Sequence, residues 1–119
     1  MHVMLADEQS RVRSALRLLL EEDPHYWVVD EATEAEELIE KVRNSSIEMV
    51  LVDWRLPGLA GEELLSALRA LGRDLVIVVL SGRPESQPLA IAAGADAFVS
   101  KADPPEQLLT TLQSVCGNE

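Results

Sequence analysis

Five short apolar runs alternate with five helical patterns along the chain, and this alternation limits the possible folds more than any other feature. The runs lie at residues 3–6, 27–29, 49–53, 75–80 and 97–99. They lack a polar residue at every second position, which is typical of strands buried on both faces. Strict alternation of strand and helix favours a parallel sheet with helices on both sides. The sequence therefore predicts an α/β fold, a (βα)5 doubly wound parallel sheet, in a single domain over 1–119.

The helical segments carry their own start and stop signals. Leucine and valine recur at helical spacing over residues 10–22 and 62–71. Thr33-x-x-Glu36 is a capping-box pattern, and it predicts where the second helix begins. Gly72 and Gly94 are predicted to end the third and fourth helices, the fourth covering 88–93, because glycine is favoured just past a helix end. The pattern 103–106, Asp-Pro-Pro-Glu, is predicted to start the last helix.

Charge and cysteine content exclude several classes of function. The 119 residues include 21 acidic and 10 basic side chains, for a net charge of −11. This balance argues against direct binding of nucleic acid or of an anionic membrane by this domain. The lone Cys116 cannot form an internal disulfide, and neither a signal peptide nor a membrane-spanning run is apparent. We therefore expect a soluble cytoplasmic protein without membrane contact.

Polar side chains follow four of the predicted strands, where ligands bind in open parallel sheets. They are Asp7 and Glu8, Asp53, Ser81 and Lys101. Three carboxylates at one edge repel one another, and a hard cation such as Mg²⁺, or Mn²⁺, relieves the conflict. With an ammonium and a hydroxyl added, the set would suit phosphoryl oxygens. Asp53 is the central candidate for a nucleophile that becomes an acyl phosphate.

Each of these residues also has a plainer interpretation when it is taken alone. Asp53 could be a turn residue, and Asp7 with Glu8 could simply place charge at a helix N-terminus. Lys101 could be a solvated surface lysine, and Ser81 could belong to an ordinary turn. The four strand ends together favour a phosphoryl site, because they supply complementary groups at one edge.

Four segments resemble the receiver domain of bacterial two-component response regulators. They are "LADEQ", "VLVDWRLPGLAGEELL", "VVLSGRPE" and "AGADAFVSKADPPEQLL", in order and each at a strand end. The resemblance covers about residues 3–115. It implies a flavodoxin-like fold with strand order 2-1-3-4-5. The segment "VSKADPPEQLL" is similar to receivers that precede helix-turn-helix output domains.

The resemblance implies a role for each residue at the acceptor site. Asp53 would accept a phosphoryl group from a sensor histidine kinase, a phosphotransfer protein or a small acyl phosphate. Glu8, Asp53 and the main-chain carbonyl of Arg55 would ligate Mg²⁺ (or Mn²⁺), and Asp7 would help through water. Lys101 would pair with the phosphoryl group.

Other residues would transmit or time the signal. Ser81 would move to hydrogen-bond the phosphoryl group, and Phe98 lies where the family keeps a switching aromatic residue. Arg55 and Arg83 flank the site and would tune how long the phosphoryl group lasts. The face of the fourth helix, fifth strand and last helix would then change shape. A second copy of the chain, or an output domain or partner protein absent from this chain, would read that change.

Some positions depart from the commonest pattern of the family. The acidic pair is Asp-Glu rather than Asp-Asp, and Phe98 lacks the hydroxyl of the tyrosine often found there. Lys101 precedes Ala102 rather than proline, and a cis bond before such a residue costs about 3 kcal/mol. Arg11, Arg13 and Arg17 on the first helix are expected to form a solvated face or a kinase-docking surface.

Three other functions are weighed against this one. An aspartyl-phosphate phosphatase would usually carry a second aspartate where Arg55 stands, and a flavin carrier would need a neutral phosphate loop in place of residues 7–9. A receiver that is never phosphorylated would serve only as an interaction module. We expect a switch rather than an enzyme that turns over a substrate, although it would take part in its own phosphotransfer and dephosphorylation.

Overall fold

The computed structural model describes residues 1–59 and 61–116, and within them strands and helices alternate as predicted. The strands are β1 (His2–Ala6), β2 (Trp27–Ala32), β3 (Met49–Asp53), β4 (Val76–Ser81) and β5 (Ala97–Ser100). The helices are α1 (Ser10–Leu20), α2 (Ala35–Arg43), α3 (Gly61–Arg69), α4 (Gln87–Ala92) and α5 (Pro105–Cys116), with a 3-10 turn over Pro84–Ser86 before α4.

All five strands pair in parallel in the order β2-β1-β3-β4-β5, which confirms the predicted fold and strand order. Successive residues of β3 face opposite sides of the sheet. Val50 and Val52 join the core under α2, α3 and α4, whereas Met49 and Leu51 join the core under α1 and α5. All four are buried, so β3 reads as an uninterrupted apolar run. Their burial, worth about 1.5–3 kcal/mol for a large side chain, fixes the strand that ends at Asp53.

The predicted capping box was one residue out of register. The N-cap of α2 is Glu34, whose side chain accepts a hydrogen bond from the amide of Glu37 at 2.5 Å. Glu37 in turn accepts from the amide of Thr33 at 2.8 Å. The N-cap side chain is therefore that of Glu34 rather than Thr33, and Glu37 binds the amide of the residue before the N-cap instead of the N-cap amide of a capping box. Two glutamates at that helix start, both able to accept from orphan amides, made the choice ambiguous in sequence.

Two glycines end helices as predicted. Gly72 has φ +72° and follows α3, and Gly94 has φ +110° and follows α4. The amide of Gly72 donates to the carbonyl of Arg69, and that of Gly94 to the carbonyl of Ile91. Residues with side chains rarely adopt this left-handed conformation, so glycine permits the chain to leave each helix toward the next strand.

The two tryptophans have different surroundings. Trp54 packs against the core and its ring covers Gly61, the first residue of α3. Trp27 starts β2 and is 61% exposed, and Val29 is 50% exposed, so the burial on both faces expected of the run 27–29 is wrong for this edge strand. Trp27 contacts only the edge of the sheet, with its ring 5.6 Å from that of His2. Within residues 1–59 and 61–116, no helix has the length and apolar character needed to cross a membrane.

Candidate functional site

The predicted site residues lie together at the carboxyl edge of the sheet. Asp7 follows β1, Asp53 is the last residue of β3, Ser81 is the last of β4, and Lys101 follows β5. Parallel pairing brings these positions to one edge, because β3 adjoins both β1 and β4, and β4 adjoins β5. Lys101 is tied to the edge by its amide, which donates to the carbonyl of Ser81 at 2.8 Å.

One ammonium joins the two aspartates. The Nζ of Lys101 lies 2.7 Å from Oδ2 of Asp7 and 3.5 Å from Oδ2 of Asp53. Asp7 is fully buried, whereas the side chain of Asp53 is 15% exposed. A buried carboxylate requires a paired charge, and Lys101 supplies it. Asp53 is therefore the aspartate that is accessible from solvent, and Asp7 is held behind it.

The polar atoms of Asp7 are all engaged. Its Oδ1 accepts from the amide of Gln9 at 2.9 Å, and its own amide donates to the carbonyl of Ala32 at 3.1 Å. Its carbonyl accepts from Nη1 of Arg13 at 2.7 Å. With Lys101 on Oδ2, this leaves Asp7 fixed in direction. Burial of so many satisfied groups makes the start of the loop after β1 a rigid part of the site.

Glu8 lies outside this bonded group. It is exposed, and its side chain makes no hydrogen bond or ion pair within the described part of the chain. Its carbonyl lies 3.3 Å from Nη1 of Arg13. Within residues 1–59 and 61–116, no group of three acidic, histidine or cysteine side chains is close enough to hold a metal ion. The structure brings Asp7 and Asp53 together through Lys101, and the side chain of Glu8 takes no part in those ion pairs.

The donors at this edge nevertheless suit a hard cation. Two carboxylates share one ammonium, which leaves a net negative charge between Asp7 and Asp53. Carboxylate and carbonyl oxygens are the ligands that Mg²⁺ prefers, usually with several waters. Glu8 and the carbonyl of Arg55 adjoin the two carboxylates in sequence and would complete the donor set. The residues present therefore fit the cation that the sequence predicts.

Ser81 connects the site to the segment before α4. Its side chain is 1% exposed, and its Oγ accepts from the amide of Arg83 at 3.0 Å. Phe98 is half-buried and packs against the core under α2, α3 and α4, where it pairs with Val79 of β4. Ser81 and Phe98 thus lie on adjacent strands. Ser81 is at the carboxyl end of β4, and Phe98 is within β5. Their predicted switching stays a prediction.

An open groove lies on the side of Asp53 that faces α3 and α4. Trp54, Leu59, Arg55 and Arg83 are among the residues that line it. Among the described residues, neither guanidinium has a carboxylate within ion-pair distance. The amide of Arg55 donates to Oδ1 of Asp53 at 3.2 Å and orients that carboxylate. The predicted effect of the two arginines on the lifetime of a phosphoryl group stays a prediction.

The peptide bond after Lys101 is not cis, unlike the bond usual at this position in the family that the sequence resembles. Among residues 1–59 and 61–116 no peptide bond is cis, so Lys101 and Ala102 are joined in trans. Ser100 shapes the turn instead. Its Oγ accepts from the amide of Ala102 at 3.1 Å, and its carbonyl accepts from the amide of Asp103 at 3.0 Å.

The sequence missed an ion cluster behind the acidic loop. Glu31 of β2 accepts from Nε of Arg13 at 2.6 Å and from Nη2 of Arg17 at 2.5 Å. The hydrogen bond from Arg17, with a second from Arg13, lowers the pKa of Glu31 below its ordinary value. Arg13 is only 16% exposed, so the solvated face expected for it is wrong. The i, i+4 spacing of the two arginines was the available signal.

Comparisons with known proteins agree with this geometry. A family model described as "Response regulator receiver domain" matches residues 3–113. Response regulator UvrY of Escherichia coli K12 is 30% identical over 117 residues, covering 96% of this chain and 53% of UvrY. The nitrate/nitrite response regulator protein NarP of the same strain is 33% identical over 114 residues, covering 94% of this chain and 53% of NarP.

A solved structure shows the same likeness. The crystal structure of a LuxR-family two-component response regulator from Aurantimonas sp. SI85-9A1 superposes with a TM-score of 0.88 at 30% identity, covering 98% of this chain and 85% of that one. The chain spans about half the length of the curated relatives that it matches.

Proposed function

The chain belongs to the response regulator receiver family, and on that premise we propose that it is a phosphorylation-controlled switch whose phosphoacceptor is Asp53. One observation carries the proposal. Asp53 ends a fully buried strand with its side chain still partly accessible, and Lys101 lies 3.5 Å from its Oδ2. A nucleophile held rigidly beside a cation that can follow the phosphoryl oxygens is the arrangement that phosphoryl transfer requires.

The transfer uses one carboxylate oxygen of Asp53. That oxygen attacks phosphorus of a phosphohistidine, on a sensor histidine kinase or phosphotransfer protein, or of a small acyl phosphate. As the new P–O bond forms, the P–N or P–O bond of the donor breaks, and the leaving group keeps the electron pair. An imidazole leaving group takes up a proton, whereas a carboxylate leaves as the anion. Lys101 is then able to pair with the phosphoryl oxygens.

A divalent cation belongs to the proposal. Mg²⁺ or Mn²⁺, held by Asp7, Glu8, Asp53 and the Arg55 carbonyl, would supply positive charge to the phosphoryl oxygens. Glu8 is exposed, and its side chain has no polar partner in the described residues, so that side chain is available to turn toward the cation. The chain's own residues keep Asp7 in place before any cation arrives.

The signal would pass from Ser81 to the surface of α4, β5 and α5. A phosphoryl group adds charge and three strong acceptors, and it would draw the hydroxyl of Ser81 away from Arg83. Phe98 could then rotate toward the space left beside β4. Leu89 and Ile91 of α4 are 53% and 46% exposed, and they supply apolar surface for a second copy or an output partner on that face. Arg55 and Arg83 would set the lifetime of the acyl phosphate, and the chain would act as a switch rather than a turnover enzyme.

The remaining assignments follow from the family and the composition. We place the switch in the cytoplasm as one receiver domain over 1–119, with its output in a domain or partner outside this chain. The net charge of −11 supports an output that does not use this domain to contact nucleic acid.

The proposal is tested by phosphorylation of the purified chain. We expect acetyl phosphate with Mg²⁺ to add one phosphoryl group, detected by intact mass and removed by hydroxylamine as an acyl phosphate should be. Asp53→Asn should abolish the label, whereas Asp30→Asn, at an exposed carboxylate on β2, should retain it. A label that survives in Asp53→Asn would contradict the proposal.

A second readout follows the switch itself. Trp54 adjoins Asp53, so beryllofluoride should change its fluorescence in a Trp27→Phe background, and Asp53→Asn should remove the change. Absence of both label and fluorescence response, with acetyl phosphate and with a phosphorylated kinase, would favour the interaction module that is never phosphorylated.

A further inference from the structure

Arg13 of α1 binds the backbone of the acidic loop directly. Its Nη1 lies 2.7 Å from the carbonyl oxygen of Asp7 and 3.3 Å from that of Glu8. Its Nε donates to Oε1 of Glu31 at 2.6 Å, and its side chain is only 16% exposed. One guanidinium thus joins β2 to the two successive carbonyls of the residues expected to bind the cation.

The other members of the cluster hold Arg13 in this position. Arg17 occupies the second oxygen of Glu31, through Nε at 3.0 Å and Nη2 at 2.5 Å. Lys41 of α2 donates to the carbonyl of Glu31 at 2.8 Å. Glu31 is therefore engaged at both carboxylate oxygens and at its carbonyl, and it has little freedom to move. A guanidinium whose Nε is fixed in this way presents its Nη1 in a defined direction, because the fork is planar.

The acidic loop depends on this contact more at Glu8 than at Asp7. Asp7 has further bonds, to Lys101, Gln9 and Ala32. Glu8 has none from its side chain within the described residues, so its backbone is held by Arg13 at its carbonyl and by Asp7 at the amide of the next residue, Gln9. A side chain that must reach a cation loses less freedom when its backbone is already in place.

We propose that Arg13 is a positioning residue for the cation site and that it acts through the carbonyls of Asp7 and Glu8. The inference rests on the proposed function, since it concerns the same site. Groups that orient metal ligands typically change metal affinity by about 10- to 100-fold when they are removed. Arg17 provides the comparison, because it binds the same Glu31 and reaches the carbonyl of Val28 rather than the loop.

The first measurement needs neither cation nor phosphate. We compare hydrogen exchange at the backbone amides of Asp7 and Gln9 in Arg13→Met and Arg17→Met. The amide of Asp7 donates to the carbonyl of Ala32, and that of Gln9 donates to Oδ1 of Asp7. Arg13→Met should raise both rates several-fold relative to the amides of β3, and Arg17→Met, which reaches the loop only through Glu31 and Arg13, should raise them by a clearly smaller factor. Equal effects of the two variants would overturn the proposal, since both remove one cation from Glu31.

The second measurement is Mn²⁺ affinity, followed by water-proton relaxation. Arg13→Met should weaken Mn²⁺ binding about 10-fold or more, whereas Arg17→Met, which acts only through Glu31, should weaken it by a smaller factor. Arg13→Lys keeps the charge but loses the fork, so it should also weaken binding, though less than Arg13→Met. Wild-type Mn²⁺ affinity in Arg13→Lys would show that net charge suffices and would overturn the proposal.

Failure of this proposal can be told apart from failure of the proposed function. If the intact protein takes no phosphoryl group on Asp53, the proposed function fails, while the exchange rates still decide the role of Arg13. If Asp53 is phosphorylated but Arg13→Met matches the intact protein in both exchange rates and Mn²⁺ affinity, the role assigned to Arg13 fails alone.

Discussion

Arginines lie on both sides of the acceptor site, and within the described part of the chain they are paired with a carboxylate on one side only. On the side of α1, β2 and α2, Arg13 and Arg17 are paired with Glu31. On the side of α3 and α4, Arg55 and Arg83 line an open groove with no carboxylate at ion-pair distance in the described residues. In an acidic chain, a guanidinium that finds no carboxylate is available for an incoming anion. The comparison shows that ion pairs fix the arginines on the α1 side of the site, whereas the arginines on the α3 and α4 side are available to bind an anion.

Removal of the Lys101 ammonium should lower stability more than any other change considered, because that group is paired with both Asp7 and Asp53. Lys101→Met leaves the fully buried carboxylate of Asp7 without its cation. We expect a loss of about 2 kcal/mol in the free energy of unfolding, less than for a wholly buried pair because the lysine is partly exposed. Urea unfolding at neutral pH measures it. The control Arg43→Met, at the exposed ion pair with Glu40, should cost about 0.5 kcal/mol or less, and an equal loss in the two variants would contradict the explanation.

Gly61 tests the packing beneath the open groove. A Cβ at this position would lie 2.5 Å from the ring of Trp54, so Gly61→Ala must displace the indole. We expect a loss of about 1–2 kcal/mol in the free energy of unfolding, despite the gain that alanine usually gives in a helix. Chemical denaturation checks this, and Gly82→Ala, with no atom within 4 Å of its Cβ, is the control. In the Trp54→Ala background the cost of Gly61→Ala should disappear; if it persists, the ring is not its cause.

The pH dependence of stability tests the paired side. The pKa of Glu31 is lowered on folding from an ordinary value of 4.5, chiefly by its hydrogen bond from Arg17. The unfolded chain therefore binds this proton more readily, so the stabilisation is complete above the unfolded pKa and is lost as pH falls through the folded pKa. When the pH is lowered from about 6 to about 3, the free energy of unfolding should fall in both proteins. The fall should be about 1 kcal/mol smaller in Glu31→Gln than in the intact protein.

The measurement is the free energy of unfolding at several pH values. Glu62→Gln, at an exposed position of α3 outside the cluster, is the matched control and should follow the intact protein. If Glu31→Gln follows the intact protein as well, the pair with the two arginines does not contribute to the acid sensitivity.

The smallest effect is expected on the open side. Arg83→Ala removes an exposed guanidinium with no carboxylate partner among residues 1–59 and 61–116, so the free energy of unfolding should change by about 0.5 kcal/mol or less. Arg73→Ala is the contrasting variant, because Arg73 donates to the carbonyls of Val42 and Ile47, and it should cost about 1 kcal/mol or more. Comparable losses in urea unfolding would show that Arg83 is also structurally engaged.

Much of the site was readable from the sequence because strand periodicity determines it. An apolar run without polar alternation predicts a strand buried on both faces, and parallel order brings all the strand ends to one edge. Asp7, Asp53, Ser81 and Lys101 were therefore placed at one edge without any structure. The helix boundaries were less accurate, as at the start of α2, where the side chain of Glu34 takes the N-cap role that the sequence pattern assigned to Thr33.

The exact partner of each charge was decided only by the tertiary structure. Lys101 reaches Asp7 across 94 residues at 2.7 Å, while Glu8, next in sequence to Asp7, makes no such bond in the described residues. Arg13 and Arg83 are the same residue type, yet one is held by Glu31 and the other faces an open groove. Periodicity predicts which face of an element is buried, because the tendency of an apolar side chain to leave water is a property of that side chain. Ion pairing depends on which charges two packed elements bring within 4 Å, and that distance exists only after the elements have packed.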